Sequence, residues 1–342
     1  MTDADREAVA LRGSSGSPSP TALKSAAVIS RVLVVVTVVL AAGHVVGMPA
    51  LGSSAALVIA GLGIVAGIPH GGVDHLMAMR LAGRSQVVVV AVYAVLAALA
   101  WAVLQWGGPF ALLLVVALSA VHFGLGELEV TSELTGWRPS VALRAAIVTA
   151  GSGALLLPLA RSGRQFNSVA TAVSPGLARL IAMEPVRTGV LVLWITAAAV
   201  AVIASLRSRH GSCALDVILI GMLGLLVQPL VAFAVWFGGW HAVRHCARIL
   251  GKEPGCAALL AVGDSRAAWR RLARLAAPMS FAALAGVLAL VWFTATASDT
   301  TAALAGVLRL LLALTVPHMV VVWWLDRRGT KSCELESFRG QQ

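Results

Sequence analysis

Two histidines and an aspartate interrupt an apolar stretch in GIPHGGVDHL, residues 67–76. Such side chains are costly at membrane depth, where no water satisfies them, and they mark function when they occur there. A second stretch, WHAVRH, sets His241 and His245 four residues apart. On one helix face this spacing brings the Cβ atoms to about 6 Å, close enough for two imidazoles to share a metal ion. His70, and His122 in VHFG, fall at matching depth in their own apolar runs. A metal ion is a strong partner for neutral imidazoles in such surroundings.

The carboxylates are few. A di-iron carboxylate site needs several inward acids and a zincin needs HExxH, and the chain shows neither pattern. A facial triad of two histidines and Asp74 stays open. The simplest set is four imidazoles, His70, His122, His241 and His245, on one ion with positions left free. Iron(II) suits such a set if dioxygen is used, because zinc has no redox chemistry. Asp74 lies four residues after His70 and can reach back as an acceptor that fixes a ligand's tautomer. The alternative is a cap or a partner for Arg80. Glu127 and Glu129 read as surface residues, with the same supporting role as Glu127's alternative. His75, five residues from His70, turns to another face and fits an interfacial histidine. His318 follows Pro317 and stands open as a ligand, a partner of substrate or dioxygen, or a packing residue. His44, toward the other end of its run, and His210, in a basic loop, stand apart.

Trp236, Phe237 and Trp240 sit beside the HxxxH pair, and Gly238 and Gly239 allow close approach. These aromatics could line an apolar cavity for a long substrate, opening to lipid near the cytoplasmic leaflet, or simply pack between helices.

The elements that must carry these residues are transmembrane helices. The chain has 342 residues, 59% apolar and only 12% charged, with a mean hydropathy of +0.89. Soluble domains carry about 25% charge, and apolar runs of roughly 18 residues or more read as spans. The expectation is an all-α polytopic membrane bundle of about 8–10 helices. Ten spans are read near 26–47, 53–79, 86–106, 110–126, 141–160, 187–206, 214–228, 230–250, 276–295 and 301–325. Residues 1–25 read as a disordered cytoplasmic tail, 26–326 as the catalytic membrane domain, and 327–342 as a second cytoplasmic tail. The net charge of +11 falls in loops that orient the protein, as the positive-inside rule predicts, and excludes a nucleic-acid role. Both termini are then cytoplasmic in the plasma (inner) membrane. One loop disagrees: 161–186 lies outside yet carries Arg161, Arg164 and Arg179. The four cysteines form no CxxC pair and read as free thiols.

GIPHGGVDH, VHFG, WHAVRH and VPHM, in this order on successive spans, resemble the Brp/Blh family of membrane β-carotene 15,15'-dioxygenases. The resemblance covers most of residues 40–325. It implies Fe(2+)-dependent cleavage of the central double bond of β-carotene with O2 to give two retinals, often for a microbial rhodopsin. It carries the metal role to His70, His122, His241 and His245, and matches Asp74 and His318 to family-like positions. The Ala/Val-rich spans, the single tyrosine Tyr93 and the continuation HFGLGELE depart from the family's usual pattern. Competing readings are a hydroxylase or desaturase, which would need HxxHH clusters, a metal or haem carrier, and a carotenoid-binding accessory protein.

Overall fold

The computed structural model describes residues 20–43, 52–161, 170–295 and 300–339, and every regular element among them is helical. Most of the predicted N-terminal tail, together with His44 and Arg164, lies outside the described residues. In chain order the elements are α1 (Pro20–Gly43), α2 (Ser53–Gly67), a 3-10 turn (Ile68–His70), α3 (Asp74–Ala82), α4 (Gln86–Trp106), α5 (Gly108–Thr135), α6 (Val141–Gly151) and α7 (Gly153–Arg161). Then follow α8 (Pro175–Ala182), α9 (Glu184–Arg207), α10 (Gly211–Leu226), α11 (Pro229–Ala234), a π-helical segment (Val235–His241), α12 (Ala242–Lys252), α13 (Pro254–Ala261), α14 (Ser265–Ala295) and α15 (Thr300–Arg339).

Seven described helices are long and apolar enough to cross a membrane, or eight if α6 and α7, bent by 56° at their junction, form one span. The chain is therefore a multi-pass membrane bundle. Large apolar side chains such as Leu40, Leu99, Val192 and Leu288 face outward, as a lipid-facing surface requires. The expected spans 214–228 and 230–250 are separate helices, divided where Val227 and Gln228 turn extended before Pro229. Neither qualifies as a span alone. α10 has 16 residues, and the α11–α12 rod carries Arg244 and Arg248, both buried. That rod is interior to the bundle, with both arginines paired inside the protein. At the other end of the chain, α15 continues as helix to Arg339, past the predicted start of a tail at 327.

Lipid tails are as apolar as leucine, so close packing and polar contacts decide how such helices associate. The π-helical segment packs between α1 and α2. Gly63 and Gly238 make the crossing with α2 possible. A Cβ on Gly238 would stand 3.0 Å from the Gly63 Cα, and one on Gly63 would stand 2.5 Å from the Ala234 carbonyl oxygen.

The discordant basic loop has a local cause. Arg161 donates to the Gly224 and Val227 carbonyls at 3.1 and 2.9 Å, at the end of α10. Arg187 donates to the Ala160 carbonyl at 2.8 Å, near the end of α7. Helix ends leave carbonyls without intrahelical donors, and these guanidinium groups supply them. Arg161 therefore serves packing, and its charge is a poor guide to topology. On the opposite face, between α12 and α13, buried Glu253 accepts from Arg80 at 2.8 Å and Arg271 at 3.0 Å, and from the Cys256 amide at 2.6 Å. Burial alone would raise its pKa. The hydrogen bonds from Arg271, Arg80 and Cys256 outweigh it and hold the carboxyl well below the usual carboxylate range.

Candidate metal centre

Five imidazoles meet in the interior. His70 ends the 3-10 turn, His122 lies on α5, His241 closes the π-helical segment, His245 is on α12 and His318 on α15. All five are at most 8% exposed. Ring centroids lie 4.7 Å apart for His70–His318, 5.0 Å for His122–His318 and 5.3 Å for both His70–His241 and His245–His318. His122–His241 is 5.4 Å, His70–His245 5.6 Å and His241–His245 6.0 Å. The His241 and His245 rings are within 14° of parallel, so the HxxxH spacing does place both on one face. The structure thus brings together all four predicted ligands and adds His318 among them.

The donor atoms suit a metal. Nε2 of His122, His241, His245 and His318 is buried without a hydrogen-bond partner in the protein. Buried polar atoms are nearly always paired, so four orphans aimed into one cluster need a partner of another kind. Ligand atoms of His70, His241 and His318 lie within 4.8 Å of one another, as do those of Asp74, His245 and His318. The opposite ring edges are occupied where a ligand needs it. His318 Nδ1 meets Asp74 Oδ2 at 2.8 Å, and His70 Nδ1 meets the Gly67 carbonyl. Each contact favours the tautomer that keeps the Nε2 lone pair free.

Asp74 departs from its expected contact. It supports His318 across the bundle, whereas the sequence reading aimed it at His70 by helical i,i+4 spacing. The helix breaks between Gly67 and Asp74, at Pro69 and the Gly71–Gly72 pair, so that spacing does not apply. Tyr93 on α4, whose role the sequence left unread, donates its hydroxyl to the same Asp74 oxygen at 3.2 Å. His75 is buried nearby but makes none of the ring contacts of the cluster. His210 stacks on Trp137 at 4.7 Å, away from the centre.

The three predicted aromatics separate. Phe237 stacks on Phe233 and sets its edge against His70 at 5.4 Å. Gly67 has no side chain to collide with this ring: a Cβ there would stand 2.8 Å from the Phe237 Cζ. Trp236 is fully buried and stacks on His241 at 5.7 Å. Trp240 is also fully buried. Its indole N–H donates to Glu127 at 2.7 Å, and the Arg244 guanidinium lies 3.6 Å over its ring. Glu127 is consequently interior and bonded to Arg244, at 2.9 Å, with no imidazole partner. Arg244 also reaches Asp216 at 3.0 Å and Ser30 at 2.8 Å, and Arg31 braces Asp216 at 2.7 Å.

An apolar cavity of about 340 Å³ begins at Phe123 and Phe237, whose rings lie against His241 at 4.9 Å and His70 at 5.4 Å. Of the three predicted aromatics only Phe237 lines it. Its hydroxyl-bearing residues Ser119 and Thr315 donate to the carbonyls of Val115 and Leu311 on their own helices, at 2.8 and 2.7 Å. They therefore present an apolar face. The cavity occupies one end of the bundle. Its lining residues on α5 and α15 precede His122 and His318. Arg80, Lys252 and Arg271 lie at the other end of the bundle, whereas Arg161 and Arg309 lie at the cavity's end. The cavity depends on residues 170–181 folding over helix ends, which no single span reveals.

A family model described as Beta-carotene 15,15'-dioxygenase matches residues 61–326, a segment that contains Asp74 and all five clustered histidines. The chain is 32% identical to the Probable beta-carotene 15,15'-dioxygenase Blh of Halobacterium salinarum, over 77% of this chain and 82% of that protein. It is 22% identical to the Beta-carotene 15,15'-dioxygenase of uncultured marine bacterium 66A03, over 79% of this chain and 94% of that protein. No solved structure gives a significant match.

Proposed function

The chain belongs to the β-carotene 15,15'-dioxygenase family, and from that premise we propose that it cleaves β-carotene to retinal at an iron(II) centre. His70, His122, His241 and His245 would hold the ion, with His318 as a fifth imidazole. The observation that carries this reading is the set of partnerless Nε2 atoms behind the aromatic wall of an apolar cavity. When bound, iron(II) supplies the redox chemistry that lets O2 react with a polyene.

The chain's own residues orient and shield. Asp74, itself held by Tyr93, keeps a proton on His318 Nδ1. The Gly67 carbonyl does the same for His70. Phe123 and Phe237 exclude water from the imidazoles and offer ring faces to a conjugated chain. No acid or base is needed on the substrate, so a site poor in carboxylates fits. β-Carotene dissolves in the bilayer and can enter between helices without crossing water. The termini are cytoplasmic in this reading, the membrane is the plasma (inner) membrane, and a microbial rhodopsin is the natural retinal acceptor.

Expression in β-carotene-producing bacteria tests the reading. Loss of colour with retinal in the extract is the expected result. Bound pigment without cleavage would make the protein a carotenoid carrier, and a Soret band would make it a haem protein. Phe237→Leu probes the wall. It removes the ring edge but keeps an apolar side chain, and should lower kcat/KM about 10-fold, the scale of an altered apolar contact in a pocket. Metal content should not change, by elemental analysis. Loss of metal would show that the ring serves to hold His70.

A further inference from the structure

The cavity runs in one direction from the imidazoles. On α5 its lining reaches Leu112, ten residues before His122, and on α15 it passes Leu308, ten residues before His318, to end at Leu304. At 1.5 Å per residue Leu112 and Leu308 are about 15 Å from the imidazoles along their helices, and Leu304 about 21 Å. Across that end lies the stretch 170–182, which places Val173 and Leu177 in the lining. Arg309 fastens it, donating to the Ala172 carbonyl at 2.9 Å and to the Val173 carbonyl at 3.1 Å. Beyond the cluster the same helices turn polar: Arg248 bonds Glu133 at 3.0 Å and Asp326 at 2.7 Å. The apolar arm is therefore one-sided.

A forty-carbon carotenoid is about as long as the ~30 Å hydrocarbon core, so each half measures about 15 Å. To the level of Leu112 and Leu308 the arm has the depth of one half. We propose that it is a length gauge, in which one ring of the substrate seats against Leu112, Leu177 and Leu308 and thereby brings the central double bond to the metal centre. The substrate is symmetric, so gauging one half defines the middle. The other half needs no matching arm. The fastening by Arg309 gives the end wall a fixed position, which a gauge requires and a mere lipid-filled gap does not. This inference rests on the proposed cleavage of β-carotene.

Two variants at one position test it with the full-length, metal-loaded protein, products being separated by chromatography and identified by mass. Leu308→Phe shortens the arm. Retinal formation from β-carotene should fall about 10-fold or more, and the residual products should be an unequal pair, cut nearer the inserted ring. Leu308→Ala deepens the arm and should yield an aldehyde longer than retinal beside retinal itself. If the phenylalanine variant fails to fold, the alanine variant decides alone. Retinal as sole product at undiminished rate from the folded variants overturns the gauge and leaves the proposed function standing. Wild-type protein that binds metal and pigment but forms no retinal overturns both.

Discussion

Replacing His245 with alanine is expected to remove bound metal and retinal formation together, each by about 100-fold or more. Losing a group that merely supports a ligand costs 10- to 100-fold in metal affinity or activity, and losing a ligand costs at least as much. The two buried carboxylates near the cluster are already engaged. Asp74 is engaged by His318 and Tyr93, and Glu127 by Trp240 and Arg244. Elemental analysis of purified protein, with retinal measured on the same sample, checks the result. His210→Ala is the control, since its ring stacks on Trp137 and should leave both quantities near wild type. His318→Ala separates its two remaining roles. Falling metal makes it a ligand, whereas retained metal with lost activity moves it to the substrate side. Full metal content in His245→Ala would break the five-imidazole assignment at its best-defined pair.

These histidines were legible because an ionisable side chain inside an apolar run has few structural explanations. The same criterion, applied evenly, would have found more. Asp216 interrupts ALDVILIG as plainly as Asp74 interrupts its own stretch. Arg244 lies between two candidate ligands on one helix. Its burial could be inferred from its neighbours, but its partners could not, because Ser30, Glu127 and Asp216 come from three other helices. The π-helical segment was illegible for a related reason. Gly238 and Gly239 lower the cost of distortion, but the approach of Gly63 that exploits it is a tertiary contact. Helix number suffered where spans are internal. Hydropathy detects helices that face lipid, and the α11–α12 rod faces protein.

Arg244→Met should be strongly destabilising. The guanidinium is 1% exposed and neutralises two carboxylates at once, Glu127 at 2.9 Å and Asp216 at 3.0 Å. Methionine fills the volume but leaves the acids short of a partner. Removing one member of a buried ion pair costs about 3–5 kcal/mol, because a buried charge is left uncompensated. The two acids should not suffer equally. Asp216 keeps both bonds from Arg31, at 2.7 and 3.1 Å, whereas Glu127 keeps only the Trp240 indole. Most of the loss should therefore reside in Glu127, and Arg244→Met with Glu127→Gln should recover more than half of it. Adding Asp216→Asn should recover little more. Thermal unfolding in detergent reads each step. Metal content should follow stability, because Arg244 positions both Trp240 and the helix that carries His241 and His245. If Arg244→Met unfolds at the wild-type temperature, the acids are neutral in the folded protein and the network is hydrogen-bonded without charge. If Asp216→Asn gives the rescue and Glu127→Gln does not, Arg31 is not the brace its geometry indicates.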